Sequence, residues 1–247
     1  MNISFYTSRT GMITQQQGLN IYANNIANIN TVGYKPLRPS FAECIYTMQH
    51  PPIEEWQTGH GQYLAKTDFM WSEAGFVATE QPLDFALPNN GFFMLQNGSG
   101  NGDAYLSRDG SFQISPIGDA WVLINGHGDF VLDYDGNGIE VPFELDGNGE
   151  VTTNIDYAAL YDMIGVFTVA NTWGLEQGAA NRLIITRRSG QPEAAPELDK
   201  VPFALEMSAA DLAGDMVRII ETQRSYQLNA RMVQISDEMM RTVNSLR

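Results

Sequence analysis

The chain has a single cysteine, Cys44, and no long run of apolar residues. One cysteine excludes an internal disulfide and any zinc site built from cysteines, and we predict that Cys44 is a small buried apolar side chain. No stretch of 18 apolar residues is present, so no segment is predicted to span a membrane. Gln15, Gln16 and Gln17 interrupt the start of the chain, which lacks the apolar core of a cleavable signal peptide. These features predict a cytoplasmic protein, unless export uses a route without a cleaved signal.

Recognisable catalytic patterns are also missing. His50, His60 and His127 show neither H-x-x-x-H nor H-E-x-x-H spacing, which argues against a metal site. The chain has no G-x-S-x-G elbow, no phosphate-binding loop and no dinucleotide-binding glycine pattern. Asp84 and Asp109 are candidates for an acid pair, but Asp84 follows a strand pattern and Asp109 belongs to an Asp-Gly turn. We therefore predict a non-enzymatic protein without a cofactor.

One metal-binding pattern is complete. The residues from Asp133 to Glu144 match an EF-hand calcium loop, with glycine at its sixth position. An EF loop lies between two helices, whereas residues 130–132 are strand-like and Pro142 lies inside the pattern. The letters Asp-Gly-Asn-Gly recur at residues 146–149, which favours hairpin turns. A secreted calcium-binding β module stays the alternative to a structural role.

Charge is low at both ends of the chain and strongly acidic between them. Residues 1–40 contain three basic residues and no acid, and residues 209–247 contain five acids and five arginines. The net charge of −15 therefore divides into +3, zero and, for the remainder, −18. Low net charge suits self-association, and high net charge keeps a surface solvated. The lack of a basic stripe argues against nucleic-acid binding.

The C-terminal segment predicts a long helix. From Ala209 to Ser245 it contains one glycine and no proline, which corresponds to roughly 55 Å of helix. Apolar residues recur at seven-residue spacing, a pattern typical of helix–helix packing. This row consists of Leu212, Ile219, Tyr226, Val233 and Met240, with Met216, Gln223 and Ala230 between its members. A second row, which widens the apolar face, consists of Leu228, Ile235, Met239 and Val243.

The N-terminal segment carries a weaker apolar row. It consists of Phe5, Met12, Leu19 and Ile26, flanked by Tyr22 and Ile29. Residues 30–33 are predicted to end this helix, with Gly33 as a left-handed cap, and Pro36 and Pro39 prevent its continuation. Neither terminal helix can bury its apolar row alone. They are either ordinary core helices of one α+β domain or long helices that pack on each other and on neighbouring copies.

The middle of the chain is predicted to be rich in β-structure. Its strand-like runs are separated by Asn-Gly and Asp-Gly turns, which predicts an antiparallel all-β domain. The predicted strands include residues 91–95, 121–124, 130–132, 164–169 and 183–186, and residues 190–196 are predicted to form a loop. The chain is thus predicted to be α+β and to divide into an N-terminal helix (1–33), an extended connection (34–80), a β-rich domain (81–207) and a C-terminal helix (208–247).

Short motifs then point to one family. Residues 24–35, Asn-Asn-Ile-Ala-Asn-Ile-Asn-Thr-Val-Gly-Tyr-Lys, resemble the N-terminal signature of the bacterial flagellar axial proteins, which are the rod, hook and hook-associated subunits. Residues 223–229 and 236–240 resemble the matching C-terminal signature. A pattern similar to that of the rod-type members lies at residues 82–87, 91–93 and 105–112. The resemblance covers nearly the whole chain in the right order.

The resemblance implies a structural rod subunit of the flagellar basal body that transmits torque and conducts exported subunits. The terminal helices are expected to pair as a coiled coil in the inner layer of a helical tube, with the β-rich domain outside. The implied partners are copies of the chain, other rod and hook proteins, the surrounding ring proteins and the type III export apparatus. Export through that apparatus needs no cleaved signal peptide.

The details favour a rod protein, distal over proximal. The middle is too short for a hook protein, although residues 41–75 are shorter than in a typical distal-rod subunit. Thr10-Gly11-Met12 replaces the usual Ser-Gly-Met, and Ser208-Ala209-Ala210 replaces Ser-Asn-Val before the last helix. The expected assembly interface consists of Phe5, Met12, Leu19, Asn25, Ile26, Asn28, Gly33, Leu212, Ile219, Gln223, Arg224, Tyr226, Asn229, Val233 and Met240.

Overall fold

The computed structural model describes residues 3–45, 47–49, 56–88, 90–98, 102–118, 120–145 and 151–246. Its helices are α1 (Ile3–Ala27), α2 (Tyr157–Met163) and α3 (Leu212–Ser245), with a 3-10 helix at Thr172–Gly174. Its strands are β1 (Leu37–Glu43), β2 (Thr47–Gln49), β3 (Trp56–Thr58), β4 (Gln62–Phe69), β5 (Phe76–Ala78), β6 (Phe85–Ala86), β7 (Phe92–Gln96), β8 (Ala104–Ser107), β9 (Phe112–Ile117), β10 (Ala120–Asn125), β11 (Phe130–Val131), β12 (Phe143–Leu145), β13 (Val151–Ile155), β14 (Val166–Val169), β15 (Glu176–Gln177), β16 (Leu183–Ile184), β17 (Pro192–Ala194), β18 (Val201–Pro202) and β19 (Ala204–Glu206). The predicted α+β class, with terminal helices around a mostly antiparallel β middle, is confirmed.

The chain forms two compact units. Unit 1 contains Met1–Ile29, Lys35–Trp71 and Ala210–Arg247, and unit 2 contains Asn30–Tyr34 and Ser72–Ala209. The division into four segments, made from the sequence, stays a prediction about the assembled protein. No helix of the described residues has both the length and the apolar character needed to cross a membrane.

Unit 1 combines the two long helices with an antiparallel strand pair. β1 pairs with β4 from Leu37↔Phe69 to Glu43↔Gln62, with a bulge after Ser40. α3 begins after Asp211, whose carboxylate accepts a hydrogen bond from the Gly214 N–H at 3.1 Å and caps the helix. The predicted end of α3 at residue 245 is confirmed, and its start lies three residues later than expected.

Unit 2 is built on an antiparallel sheet with the order β15-β16-β8-β7-β11-β10-β9, and β14 pairs with β7 and β17. The predicted turn at Asn125-Gly126 connects β10 to β11. The loop predicted at residues 190–196 is wrong in part, because Pro192–Ala194 pairs with β14 at the edge of the sheet, where a proline without an N–H is tolerated. The buried core consists of Phe85, Leu87, Phe93, Leu95, Tyr105, Phe112, Leu123, Val131, Ile139, Leu160, Ile164 and Val166.

One helix interrupts the region that was expected to be all-β. Asp156 caps the start of α2, and its carboxylate oxygen accepts hydrogen bonds from the N–H groups of Ala158 (3.1 Å) and Ala159 (3.0 Å). Leu160 is fully buried and fixes the helix on the sheet. The seven-residue helix is too short for its apolar period to be read from the sequence.

The calcium-loop pattern forms a turn. Asp133 Oδ1 accepts hydrogen bonds from the backbone N–H groups of Asp135 and Asn137, both at 2.9 Å. β11 precedes the turn, and an antiparallel bridge between Leu132 and Gly138 closes it, so strand-like segments stand where an EF-hand needs helices. Among the described residues, no group of three or more His, Cys, Asp or Glu side chains could hold a metal ion. The calcium-binding alternative is unsupported.

The other residues that the sequence offered as candidates for chemistry take part in the packing and hydrogen bonding of the fold. Asp84 is buried and bridges to Ser111 through the backbone, and Asp109 accepts hydrogen bonds from the Ser111 N–H (3.0 Å) and hydroxyl (2.7 Å). Cys44 follows β1 and is half-buried, so the prediction of a buried side chain is wrong. His50 and residues 146–149 lie outside the described residues.

A buried polar network joins distant parts of unit 2. The Asp129 carboxylate accepts hydrogen bonds from the Tyr105 hydroxyl, from Asn125 Nδ2 (3.2 Å) and from an Arg182 guanidinium nitrogen (2.7 Å). Burial alone raises the pKa of Asp129, but these three donors outweigh it and hold the pKa below its usual value. Burial together with the Asp129 charge raises the pKa of Tyr105. The network ties the β10–β11 turn to the neighbouring strands.

Lys200 is buried beside the C-terminal end of α2. Its Nζ donates hydrogen bonds to the carbonyl oxygens of Tyr161 (2.5 Å) and Ile164 (2.8 Å) and lies 4.6 Å from the centre of the Tyr161 ring. Burial lowers the pKa of Lys200 to about 8 from 10.5, although the charge of Asp162 opposes the shift.

The stability of the protein should therefore rise between pH 8 and pH 10. In this window the unfolded chain, with the ordinary lysine pKa, binds the proton that folded Lys200 has released, so raising the pH favours the folded state by on the order of 2 kcal/mol. Thermal unfolding from pH 7.5 to pH 10 measures the effect. Lys200→Met should lack the rise, and an equal rise in that variant would show that another group is responsible.

Candidate assembly surface

α1 and α3 pack against each other in opposite directions within unit 1. Ser4 Oγ lies 2.9 Å from Ser236 Oγ. Seven residues further along α1, a Cβ placed on Gly11 would lie 2.9 Å from Asn229 Nδ2. Small and polar side chains therefore let the two helices approach closely.

The same seam continues towards the start of α3 with charged side chains. The Arg218 guanidinium lies 5.8 Å from the centre of the Tyr22 ring and donates a 2.9 Å hydrogen bond to Asp215, which is buried. Burial raises the pKa of Tyr22, and the charge of Arg218 opposes the rise. Asp215, Thr222, Asn229 and Ser236 are thus a polar row at seven-residue spacing, and all except the half-buried Asn229 are buried.

A second face of α1 packs on the β1–β4 pair. A Cβ on Gly18 would lie 3.1 Å from the tip of the Phe41 ring, and Thr14 Oγ1 donates a hydrogen bond to the Gln62 carbonyl at 3.0 Å. Sequence reasoning missed this face. Its signal was present in Thr14 and Gly18, which place small residues four positions apart on one face of α1.

The asparagines of the N-terminal motif act inside unit 1. Asn25 is 1% exposed, and its amide donates to the Leu37 carbonyl and accepts from the Leu37 N–H, both at 2.9 Å. The Asn24 carbonyl accepts from both the backbone N–H (3.2 Å) and the side-chain Nδ2 (2.9 Å) of Asn28, which reinforces the last turn of α1. The motif therefore fixes the path of the chain where it leaves α1.

Gly33 has the left-handed conformation that its position predicts, with φ +63°. The prediction that it caps α1 is wrong, because α1 already ends at Ala27, six residues before Gly33. The Gly33 N–H donates to the Glu206 carbonyl at 2.9 Å, and a Cβ on Gly33 would lie 2.7 Å from the backbone of Arg108.

Arg108 and Glu206 form a buried ion pair in unit 2. The Arg108 guanidinium lies 3.1 Å from Glu206 Oε2 and donates to the Leu87 carbonyl at 3.1 Å. Burial lowers the pKa of Arg108, and the charge of Glu206 opposes the shift. The pair therefore holds the strand that leads to α3 against the segment that follows α1.

The remaining expected interface residues differ in exposure. The half-buried ones are Phe5, Met12, Leu19, Ile26, Ile219, Tyr226, Asn229 and Val233. The exposed ones are Leu212, Gln223, Arg224 and Met240. Their role between copies stays a prediction.

α3 carries a second apolar row that stays exposed beside the polar row that packs on α1. We define the outer α3 stripe as Val217, Leu228, Met232, Ile235, Met239 and Val243. Their exposed fractions run from 38% at Ile235 to 66% at Leu228. With 3.6 residues per turn, the centre of this stripe lies roughly 100° around the helix from the polar row that faces α1. Contiguous exposed apolar surface of this kind marks a site of interaction.

Comparisons with known proteins match the same parts of the chain. A family model described as "Flagella basal body rod protein" matches residues 5–35, and one described as "Flagellar basal body rod FlgEFG protein C-terminal" matches residues 202–246. These ranges contain most of α1 and all of α3.

Full-length relatives carry similar names. The chain is 30% identical over 267 residues to "Flagellar basal-body rod protein FlgG" of Bacillus subtilis (strain 168), with 99% of this chain and 98% of that protein covered. It is 29% identical over 264 residues to the protein of the same name from Buchnera aphidicola subsp. Baizongia pistaciae, with 98% and 99% covered. It is 27% identical over 269 residues to "Flagellar hook-basal body complex protein FlhP" of Bacillus subtilis, with 99% of each covered.

Proposed function

We propose that this chain, which belongs to the family of flagellar basal-body rod proteins, polymerises through its terminal helices into a helical tube. The chain is a structural subunit of the bacterial flagellar basal body and not an enzyme, as the sequence predicted. The tube transmits torque and conducts exported subunits through its lumen. The FlgG relatives, matched over nearly their full length, favour the distal rod.

The outer α3 stripe is the observation that carries this proposal. One face of α3 already packs on α1, and a neighbouring copy that covers the stripe would remove its apolar side chains from water. Burying a leucine, isoleucine, valine or methionine side chain stabilises a contact by roughly 1.5–3 kcal/mol. Unit 1 contains nine basic and nine acidic residues, so no net charge opposes its self-association.

The pairing of α1 with α3 as a coiled coil is part of the same proposal. Its support is the seven-residue spacing of Asp215, Thr222, Asn229 and Ser236 along the contact. The half-buried apolar row that includes Ile219, Tyr226 and Val233 lies beside it and is free to complete the seam in the assembled tube.

The proposed partners follow from a polymer with open ends. Contacts between different surfaces of identical copies generate an open helical filament, so other rod and hook proteins can join its two ends. The surrounding ring proteins face its outside, and the chain reaches the tip unfolded through the flagellar type III export apparatus. No cleaved signal peptide is needed on that route.

Leu228→Asp/Ile235→Asp tests the proposal. The variant should weaken self-association by at least about 100-fold, because two apolar side chains of the stripe are replaced by charges. Cells that carry it should not swim in soft agar, and their isolated basal bodies should lack a hook. The Tm of the purified variant should match that of the wild type, since Leu228 is 66% and Ile235 38% exposed.

The matched control is Gln227→Asp/Gln234→Asp. It places the same charges on exposed positions of the same helix but outside the stripe. This control should assemble and swim like the wild type. Normal swimming and complete hooks in the stripe variant would reject the outer α3 stripe as the assembly surface.

A further inference from the structure

We propose that unit 2 makes a second, electrostatic contact between neighbouring copies of this chain. On one copy the contact uses a surface that we define as the Trp–Arg platform, which consists of Trp173, Arg187 and Arg188. On the next copy it uses the acidic turn, which we define as residues 133–140. This inference rests on the proposed assembly into a tube and names how its outer parts recognise each other.

The positive charge of unit 2 is concentrated at one surface. Unit 2 contains twenty acidic but only five basic residues. Three of the basic residues act internally: Arg108 pairs with Glu206, Arg182 pairs with Asp129, and Lys200 binds two carbonyls. The other two, Arg187 and Arg188, are both exposed, and neither forms an ion pair with a carboxylate of the described residues.

Trp173 lies beside these arginines on a fixed backbone and is 64% exposed. The Asn171 side chain accepts from the Trp173 N–H (3.1 Å) and donates to the Arg188 carbonyl (3.0 Å). The Thr186 hydroxyl donates to the Gly174 carbonyl (2.5 Å) and accepts from the Arg188 N–H (3.1 Å).

Close packing reinforces these bonds. A Cβ on Gly174 would lie 2.4 Å from the Arg188 carbonyl carbon, so the two loops form one unit. A platform that is already ordered loses little conformational entropy on binding. Tryptophan and arginine are the residue types that dominate interface energetics.

The acidic turn offers the complementary charge at the other end of the same strand. Asp135 and Glu140 are exposed there. The Gly165 N–H donates to the Leu132 carbonyl at 3.2 Å, which fixes the turn beside the start of β14, while Trp173 follows the end of β14. The platform and the turn therefore lie at opposite ends of one strand.

This placement favours a second copy of the chain as the occupant of the platform. Each copy carries both halves of the contact, one at each end of β14, so the same head-to-tail contact can repeat from copy to copy, as a polymer requires. Complementary charge gives such a contact its specificity and register. An unrelated anionic partner would need only the platform and would leave the acidic turn without a role.

Charge reversal of each half tests the contact in the full-length protein. The first variant is Arg187→Glu/Arg188→Glu, and the second is Asp135→Lys/Glu140→Lys. Asp133 is left intact because its carboxylate holds the turn. Each variant alone should self-associate about tenfold or more weakly than the wild type in sedimentation velocity at low salt. An equimolar mixture of the two should recover the wild-type affinity, because each glutamate pair then meets a lysine pair.

Glu73→Lys/Glu80→Lys is the matched control, since it makes the same charge change at exposed positions of unit 2 away from the acidic turn. It should self-associate like the wild type. Trp173→Ala should weaken association by about tenfold without rescue by any charge variant. If the mixture stays as weak as its components, or if the first variant self-associates like the wild type, the contact does not exist.

The two proposals can fail separately. Loss of association in the stripe variant together with normal association in both charge variants would leave the assembly proposal standing and reject this contact. Loss of association in the charge variants with normal association in the stripe variant would reject the outer α3 stripe as the assembly surface and leave this contact standing. A wild-type chain that remains monomeric at millimolar concentration would reject both.

Discussion

Replacing Glu206 with methionine is expected to lower the free energy of unfolding by about 3–5 kcal/mol. The Arg108 and Glu206 side chains are only 4% and 3% exposed, so the variant leaves a guanidinium charge in the interior without its carboxylate. Burial already lowers the pKa of Arg108, and the charge of Glu206 is what opposes that shift. Urea unfolding followed by circular dichroism measures the loss.

Two further variants separate the charge effect from lost packing. Arg108→Met/Glu206→Met removes both charges and should recover most of the loss, because no uncompensated charge stays buried. Arg241→Met breaks the exposed pair with Asp237 on α3, whose side chains are 80% and 56% exposed, and should change stability by no more than about 0.5 kcal/mol. A double variant less stable than Glu206→Met alone would mean that packing, and not charge, dominates at this site.

The terminal helices were predictable because their signal is local and repeated. Seven-residue spacing of apolar residues from Leu212 to Met240 predicts a helix whatever the rest of the chain does. The surface that α3 presents to α1 was not predictable in the same way. It runs through polar residues such as Asp215 and Thr222, which hydropathy spacing counts as solvent-facing. Apolar periodicity identified α3 and its seven-residue repeat. The shape of α1 decides which row of α3 side chains is covered, and the sequence of α3 does not show it.

The β region shows the same division between local and distant causes. Asn125-Gly126 predicts a hairpin turn, and the turn forms there, but the residue in the left-handed conformation is Gly128, with φ +84°, whose N–H donates to the Asn125 carbonyl. The pairing of Asp129 with Arg182 joins residues 53 positions apart in the sequence, and no local pattern identifies it. β17 was read as a loop because Pro192 and its neighbours have low strand preference, yet pairing with β14 outweighs that preference.

Replacing Gly33 with alanine is expected to destabilise the protein by about 3 kcal/mol or more, for two separable reasons. A left-handed conformation, here φ +63°, costs a residue with a Cβ roughly 1–2 kcal/mol. The added Cβ would also lie 2.7 Å from the backbone carbonyl of Arg108, which cannot move without disturbing the ion pair with Glu206. Chemical unfolding measures the total, and we expect cells with this variant to swim poorly because less folded subunit is available.

Gly118→Ala separates the two costs. Gly118 has nearly the same backbone angle, φ +65°, but no described atom lies within 4 Å of the position that its Cβ would take. It should therefore show only the conformational cost of roughly 1–2 kcal/mol, and the difference between the two variants measures the clash with Arg108. Gly118→Asn should recover part of that cost, since asparagine tolerates the left-handed conformation, whereas Gly33→Asn should stay as unstable as Gly33→Ala. Equal losses of stability in Gly33→Ala and Gly118→Ala would mean that the Arg108 backbone yields to the new side chain. The left-handed backbone angle alone, and not the close approach to the buried ion pair, would then require glycine at position 33.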